Sequence, residues 1–396
     1  MRTLLWLVAT LGGAVLWGST CFAQVDLSAV AVPPEPHELA ARDIDIKTLS
    51  TPKEIADAFE LIDRARLNIG IYQNVDAGFH LKVSFTASGM VANTGPGSME
   101  EIRRARGQER WSAQIGNYSM LRINSDRVMY DEKPAGPVPI RIHMLRNALF
   151  WPVSYPEAMQ RVRTFNARWD GKRVTCVLMS PRTAMAPVEP SGRGWREREY
   201  CIDPRATLME IYSEAPGIYV VYDYRDAAKL GGNTLPRQFS IFQNGAAVLN
   251  AHVDLLEDAG ALSPDVFTPS SKAVSNGAVL RQPTHYFRDP SHKMIGIVIR
   301  ADVSKVEPIL VHATTGSDGK TYETELLQNV NPSIAQAALQ QVRAMSWIFP
   351  GAPQGGIRQD DQYIEVDVVP LSTPLLGCAE ANSFNGPPCG PAEKPR

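Results

Sequence analysis

The feature that most constrains this chain is the stretch Trp195–Arg225, WREREYCIDPRATLMEIYSEAPGIYVVYDYR. It reads as short strands folded back on one another at Asp203-Pro204 and at Ala215-Pro216-Gly217. Val220, Tyr222 and Tyr224 alternate with Tyr219, Val221 and Asp223. A period of two places successive side chains on opposite faces of a sheet, and each face then meets different surroundings. From Arg161 to Glu257 such runs and turn signals alternate at short intervals, including Asp170-Gly171 and Asn244-Gly245. Both dipeptides suit tight hairpins because Asn, Asp and Gly tolerate positive φ. An antiparallel sheet is therefore expected at the centre of the protein.

The same pattern extends upstream. Phe79, Leu81, Val83 and Phe85 alternate with His80, Lys82, Ser84 and Thr86, which predicts a strand with one buried and one wet face. Trp111, Ala113 and Ile115 start another, and Tyr118–Ile123 and Val128–Tyr130 follow with a turn at Ser125-Asp126. Two helices interrupt the strands. Thr51-Pro52-Lys53-Glu54 has the form of a capping box with proline at the first helical position, and Ile55, Ala58, Phe59 and Ile62 form the apolar stripe of a helix over 51–68. Residues 137–150 predict the second, with Ile140, Met144, Leu145 and Leu149 on one side. Ser98-Met99-Glu100-Glu101 is also a capping box, and it predicts a short exposed helix through Arg106.

The N-terminus has a different character. Arg2 precedes the apolar run Leu4–Trp17, and small and polar residues lead to Cys21-Phe22-Ala23. That order is the layout of a secretory signal, with cleavage expected after Ala23. An uncleaved inner-membrane anchor is the rival reading, since Leu4–Ala23 is long enough to span a bilayer. Export leaves Cys176, Cys201, Cys378 and Cys389, an even set that suggests two disulfides with three possible pairings. If 172–180 and 195–204 are neighbouring antiparallel strands, Cys176 falls opposite Cys201, and the other two close a loop in the tail. The formal charge of −2 argues against a broad nucleic-acid surface.

The chain then divides into a signal peptide (1–23), a linker (24–50), an antiparallel domain (51–258), a proline-containing linker (259–295), a small α+β unit (296–370) and a Pro/Gly-rich tail (371–396). The last unit is expected to hold strands at 296–303 and 309–313, an inserted loop at 315–328, a helix capped by Asn331-Pro332, and a strand at 363–369. Strand residues Tyr363, Ile364, Glu365, Val366, Asp367 and Val368 are the candidate sheet edge, where free N–H and C=O groups accept a partner's strand. Glu365 and Asp367 read equally well as charges that discourage such pairing.

Residues 296–369 resemble the C-terminal domain of the TonB family, envelope proteins that couple inner-membrane energy to outer-membrane transporters. The resemblance rests on Ala337-Ala338-Leu339, Val342-Arg343, Trp347-Ile348-Phe349-Pro350 and the glycine-containing turn before Tyr363. Residues 51–258 are similar to the LolA type of half-barrel, a curved antiparallel sheet with covering helices that holds acyl chains. GPGSMEE (95–101) and EYCIDP (199–204) extend the likeness to bacterial envelope proteins of the TonB family. Together these imply an α+β protein of the periplasm or cell envelope, with an N-terminal LolA-like half-barrel and a TonB-like domain.

No catalytic motif is present: no Gly-x-Ser-x-Gly, no His-Glu-x-x-His and no phosphate-cradling glycine loop. His285, His292 and His312 have no standard metal spacing, and Asp203, Asp223, Asp226, Glu210 and Glu214 read as turn and surface carboxylates. The expected function is non-enzymatic, with no cofactor: recognition of an envelope partner by strand addition. Two alternatives stand, a lipid or lipoprotein acyl-chain carrier and an enzyme whose site leaves no linear trace. For a carrier, the candidate apolar cavity is lined by Phe79, Leu81, Val83, Trp111, Tyr200, Tyr212 and Tyr222.

Overall fold

The structure, a computed structural model, describes residues 46–372 apart from 74–77, 105–106, 134–135, 154–160, 170–171, 181–197, 213–217, 244, 279–296, 305–306, 317–318, 328–329 and 346–358. Residues 1–23, expected to be a signal segment, and Cys378, Cys389, His285, His292, Glu214, Trp347 and Phe349 lie outside the described residues.

The first part of the chain holds β1 (Lys47–Thr48), α1 (Pro52–Ile69), β2 (Phe79–Ala87), β3 (Gly95–Arg104), β4 (Gln108–Ile115), β5 (Tyr118–Ser125), β6 (Val128–Lys133) and α2 (Ile140–Phe150). Next come β7 (Arg161–Trp169), β8 (Lys172–Ser180), β9 (Arg198–Ile202), β10 (Leu208–Tyr212), β11 (Ile218–Asp223), β12 (Ala228–Leu230), β13 (Asn233–Leu235), β14 (Gln238–Gln243), β15 (Ala246–Glu257) and β16 (Val274–Ala278). The chain ends with β17 (Ile297–Ala301), β18 (Glu307–Gly316), β19 (Thr321–Leu326), α3 (Pro332–Arg343) and β20 (Gln359–Pro370).

Fourteen strands form one open antiparallel sheet in the order β1-β7-β8-β9-β10-β11-β14-β15-β2-β3-β4-β5-β6-β16. The seam between its halves is β15 on β2, where Val253 stands opposite Val83. Register fixes the two faces. Across one row Leu81, Glu101, Trp111, Arg122 and Asp131 are successive partners, so they share the inner face that α1 and α2 cover. Phe79, Val83, Phe85, Met99, Ala113, Ile115, Met120, Tyr222, Phe239, Ile241 and Val253 join the same core, together with Ile62 and Ala65 of α1 and Leu145 and Leu149 of α2. The outer face of β2–β4 is polar: His80 bridges Glu100 and Glu257, and Arg110 also meets Glu100.

On β7–β9 the outer face is apolar as well. Phe165, Ala167, Val174, Cys176, Leu178 and Cys201 form a separate buried cluster. Cys176 pairs with Cys201 across β8 and β9, and the two are disulfide-bonded. Closing this loop restricts the unfolded chain more than the folded one, which stabilises the fold.

The capping box of α1 is as the sequence reads: Thr51 Oγ1 accepts from Glu54 N, and Glu54 accepts from Thr51 N. Four expectations are corrected. Residues 98–104 belong to strand β3, bonded on both sides by β2 and β4; a local helix-start signal was overridden by non-local pairing. Within the loop expected at 315–328, Thr321–Leu326 forms β19 and pairs with β18. The strand containing Tyr363–Val368 is no edge. In the four-stranded order β17-β20-β18-β19 it is bonded on one side to β18 and on the other, in parallel, to β17. The backbone of Val366–Val368 therefore lies between two strands, Tyr363–Glu365 pair with β18 alone, and among the described residues β17 and β19 are the outer strands of that sheet. Within 259–295, expected as linker, β16 pairs with β6, and Ala259 and Phe267 pack on Ile102 of the outer face.

Candidate functional site

The inner face is where an otherwise apolar surface acquires chemistry. Most of it is aliphatic and aromatic, closed by α1 and α2. Of the seven residues expected to line a cavity, Phe79, Leu81, Val83, Trp111, Tyr200 and Tyr222 are buried in this one core. Tyr212 stands opposite Tyr219 in the register. Of the aromatic meander, Tyr200 and Tyr222 belong to this core.

A polar nest interrupts the apolar lining at β3–β5. Glu101 is fully buried, and Arg146 of α2 reaches down to it, with Nη2 at 3.1 and 3.0 Å from its two carboxylate oxygens. The same guanidinium lies 3.6 Å from Glu109 and stacks 4.0 Å over the Trp111 ring. Tyr72 Oη donates to Glu109 at 3.3 Å, Asn124 Nδ2 donates to the same oxygen, and Arg103 covers the Tyr72 ring at 3.9 Å. Burial opposes the charge on Glu101 more than Arg146 favours it, so its carboxyl is raised to about 7. Arg146 is pulled the other way: despite its own burial, Glu101 and Glu109 hold it charged. Trp111 Nε1 and Asn124 Oδ1 are buried without a hydrogen-bond partner among the described residues.

Tyr222 Oη donates to the Ala148 carbonyl of α2 at 2.8 Å, satisfying one of the carbonyls that a helix end leaves open. Burial raises the Tyr222 hydroxyl well above its ordinary value. At the end of α1, Asn233 Nδ2 donates to the Leu67 carbonyl at 2.7 Å.

The other sequence candidates are dispersed. Asp203 accepts from the backbone N–H groups of Arg205 and Thr207, which makes it a turn former. Asp223 is tied to Arg225, which holds its carboxyl below the usual range. With Asp226, Arg237, Gln238 and His252 these two line an open polar depression of about 430 Å³ on the surface. His312 is buried in β18, and His285 and His292 lie outside the described residues. Cys176, Glu199 and Cys201 place three ligand-type atoms within 4.8 Å, but both sulfurs are spent in the disulfide. Sequence reasoning missed Glu101 and Arg146. The available signal was a second charged face on α2: Arg141 and Arg146 both lie in a helix where Ile140, Ile142, Leu145, Leu149 and Phe150 are buried on several sides.

No family model matches this chain, and no curated protein does. Among solved structures it is similar to an outer membrane lipoprotein-sorting protein domain from Vibrio parahaemolyticus, at 8% identity, covering 54% of this chain and 97% of that one with a TM-score of 0.32. A LolA superfamily protein from Nitrosomonas europaea matches at 10% identity over 53% of this chain and 97% of that one, with a TM-score of 0.33. LprF from Mycobacterium bovis matches at 8% identity over 52% and 95%, with a TM-score of 0.23. At these values no function is carried across from them. None of the three comparisons supports the TonB resemblance of 296–369. Among the described residues no helix is long and apolar enough to cross a membrane.

Proposed function

We propose that this chain is a non-catalytic carrier of the cell envelope that holds an apolar, acyl-chain-like ligand between the inner face of its large sheet and helices α1 and α2. The observation that carries this reading is the inner face itself. It is lined by Phe79, Leu81, Val83, Phe85, Met99, Tyr222, Phe239 and Ile241, and helices α1 and α2 pack against it. An apolar chain that slides beneath α2 exchanges the contacts of Leu145 and Leu149 for its own. Each buried methylene then contributes roughly 0.8 kcal/mol, so a chain of ten or more carbons offsets the displacement of a helix face. The nest of Glu101, Glu109 and Arg146 places charge beside this apolar face, where a headgroup or carboxylate can meet a guanidinium. The envelope location follows from the secretory character of residues 1–23.

The test is a titration of the purified full chain with a fluorescent fatty acid such as 11-(dansylamino)undecanoic acid. The proposal expects saturable binding with a blue-shifted emission, competed by unlabelled long-chain fatty acid. It also expects weaker binding when Val83→Asp places a charge on the inner face. Unsaturable or absent binding would remove the proposal.

A further inference from the structure

We infer that the small C-terminal sheet is a latch on α2: β19 holds the helix closed through Glu323 and Glu325, and a ligand enters beneath α2 when this strand lets go. This rests on the carrier reading above and supplies its control.

Helix α2 cannot cap itself. Helix α2 starts at Ile140 directly after Pro139, which has no side-chain acceptor for the free N–H groups of the first turn. The cap comes from 183 residues away: Glu323 Oε2 accepts from Ile140 N at 2.7 Å, while its Oε1 accepts from Ala92 N at 3.3 Å. A carboxylate there also meets the positive end of the helix dipole.

Two residues on, and therefore on the same side of β19, Glu325 grips the next residue of the helix. Arg141 Nη1 donates to Glu325 Oε2 at 2.8 Å and Nη2 to Oε1 at 2.5 Å, with both side chains nearly or fully buried. Arg141 Nε donates to the Ser88 carbonyl at 3.0 Å. The turn passing over this guanidinium uses Gly89 at φ +109°, where a Cβ would come within 2.4 Å of Arg141 Nη2. Leu310 of β18 and Leu327, just after β19, belong to the same apolar core as the inner face of the large sheet. Gln243 Nε2 of β14 donates to the Leu326 carbonyl at 2.9 Å.

The energetics suit a latch better than a weld. A buried ion pair gains in attraction roughly what it loses in desolvation, so it fixes geometry more than it adds stability. When β19 departs, Arg141 and Glu325 both regain water, whereas loss of one partner alone strands the other. Seated and released arrangements then lie close enough in energy for a ligand with differential affinity to shift the balance.

The experiment is hydrogen exchange on the full chain, comparing the parent protein with Glu323→Ala/Glu325→Ala. The latch predicts at least tenfold faster exchange at residues 140–144 with β2–β5 unchanged. Unchanged exchange at 140–144 overturns it. Should the double variant lose protection in β2–β5, Glu323→Ala alone decides, since it removes the cap and leaves the buried pair intact; the same two outcomes apply. Stopped-flow association of 11-(dansylamino)undecanoic acid separates the two proposals. Faster association in the variant supports the latch, and equal rates overturn it while the carrier reading stands. Absence of binding to both proteins removes the carrier reading, and the exchange comparison still decides whether β19 holds the helix.

Discussion

Replacing Glu101 by Gln should flatten one component of the pH dependence of stability. Glu101 is fully buried beside Arg146 of α2, Glu109 of β4, Arg103 of β3 and Tyr72. Its carboxyl is raised from 4.5 to about 7, chiefly by burial. Between those two values the folded protein binds more protons at this site than the unfolded chain does. The contribution to stability is therefore complete below about pH 4.5 and is lost as the pH rises through about 7. The span of roughly 2.5 units corresponds to about 3 kcal/mol at ~1.4 kcal/mol per unit. Glutamine stays neutral throughout and keeps an acceptor for Arg146, so the variant lacks this component. Urea unfolding followed by far-UV circular dichroism at pH 5, 6, 7 and 8 measures it, because groups common to both proteins cancel in the difference. The parent should lose about 3 kcal/mol relative to Glu101→Gln from pH 5 to pH 8. A difference that stays constant across this range would refute the reasoning, and a difference of opposite sign would mean that Arg146 wins over burial.

Two further outcomes follow from other parts of the sheet. Cys176→Ala/Cys201→Ala opens a loop of sequence separation 25, and the chain-entropy relation gives a loss of about 3.5 kcal/mol. A reducing agent should lower the urea midpoint of the parent to that of the variant, and coincident midpoints of oxidised parent and variant would contradict this. Gly97→Ala places a Cβ 2.4 Å from Phe85 Cζ and 2.6 Å from the Gln114 carbonyl oxygen, on backbone that cannot yield. The expected cost is about 1–3 kcal/mol, read as a lowered melting temperature, and an unchanged value would mean β3 and β4 can separate locally.

Much of the large sheet was legible because its signals are local. The Phe79–Phe85 alternation, the Thr51–Glu54 box and the facing cysteines each specify an element or a pairing from residues close in the chain or from strand register. Errors arose where the deciding partner is distant. Ser98–Glu101 carries a helix-start pattern, yet Met99 and Glu101 stand between Val83 or Leu81 on one side and Ala113 or Trp111 on the other. The strand at 363–368 reads as free because nothing in its own residues reveals that β17 runs in parallel beside Val366–Val368. The Glu101–Arg146 and Glu325–Arg141 pairs were invisible for the same reason, being separated by 45 and 184 residues. Isolated arginines within an apolar helix were the one trace they left, and such residues fit a surface face as readily as a buried pair.

The central claim is that the space between the large sheet and α2 takes an apolar chain. Native mass spectrometry of the full protein, purified from a membrane-containing expression host without detergent, tests it most directly. The account predicts added masses that correspond to lipids or fatty acids, that leave on collisional activation, and that diminish in Val83→Asp. A single unliganded mass that stays unliganded after incubation with long-chain fatty acid would contradict it.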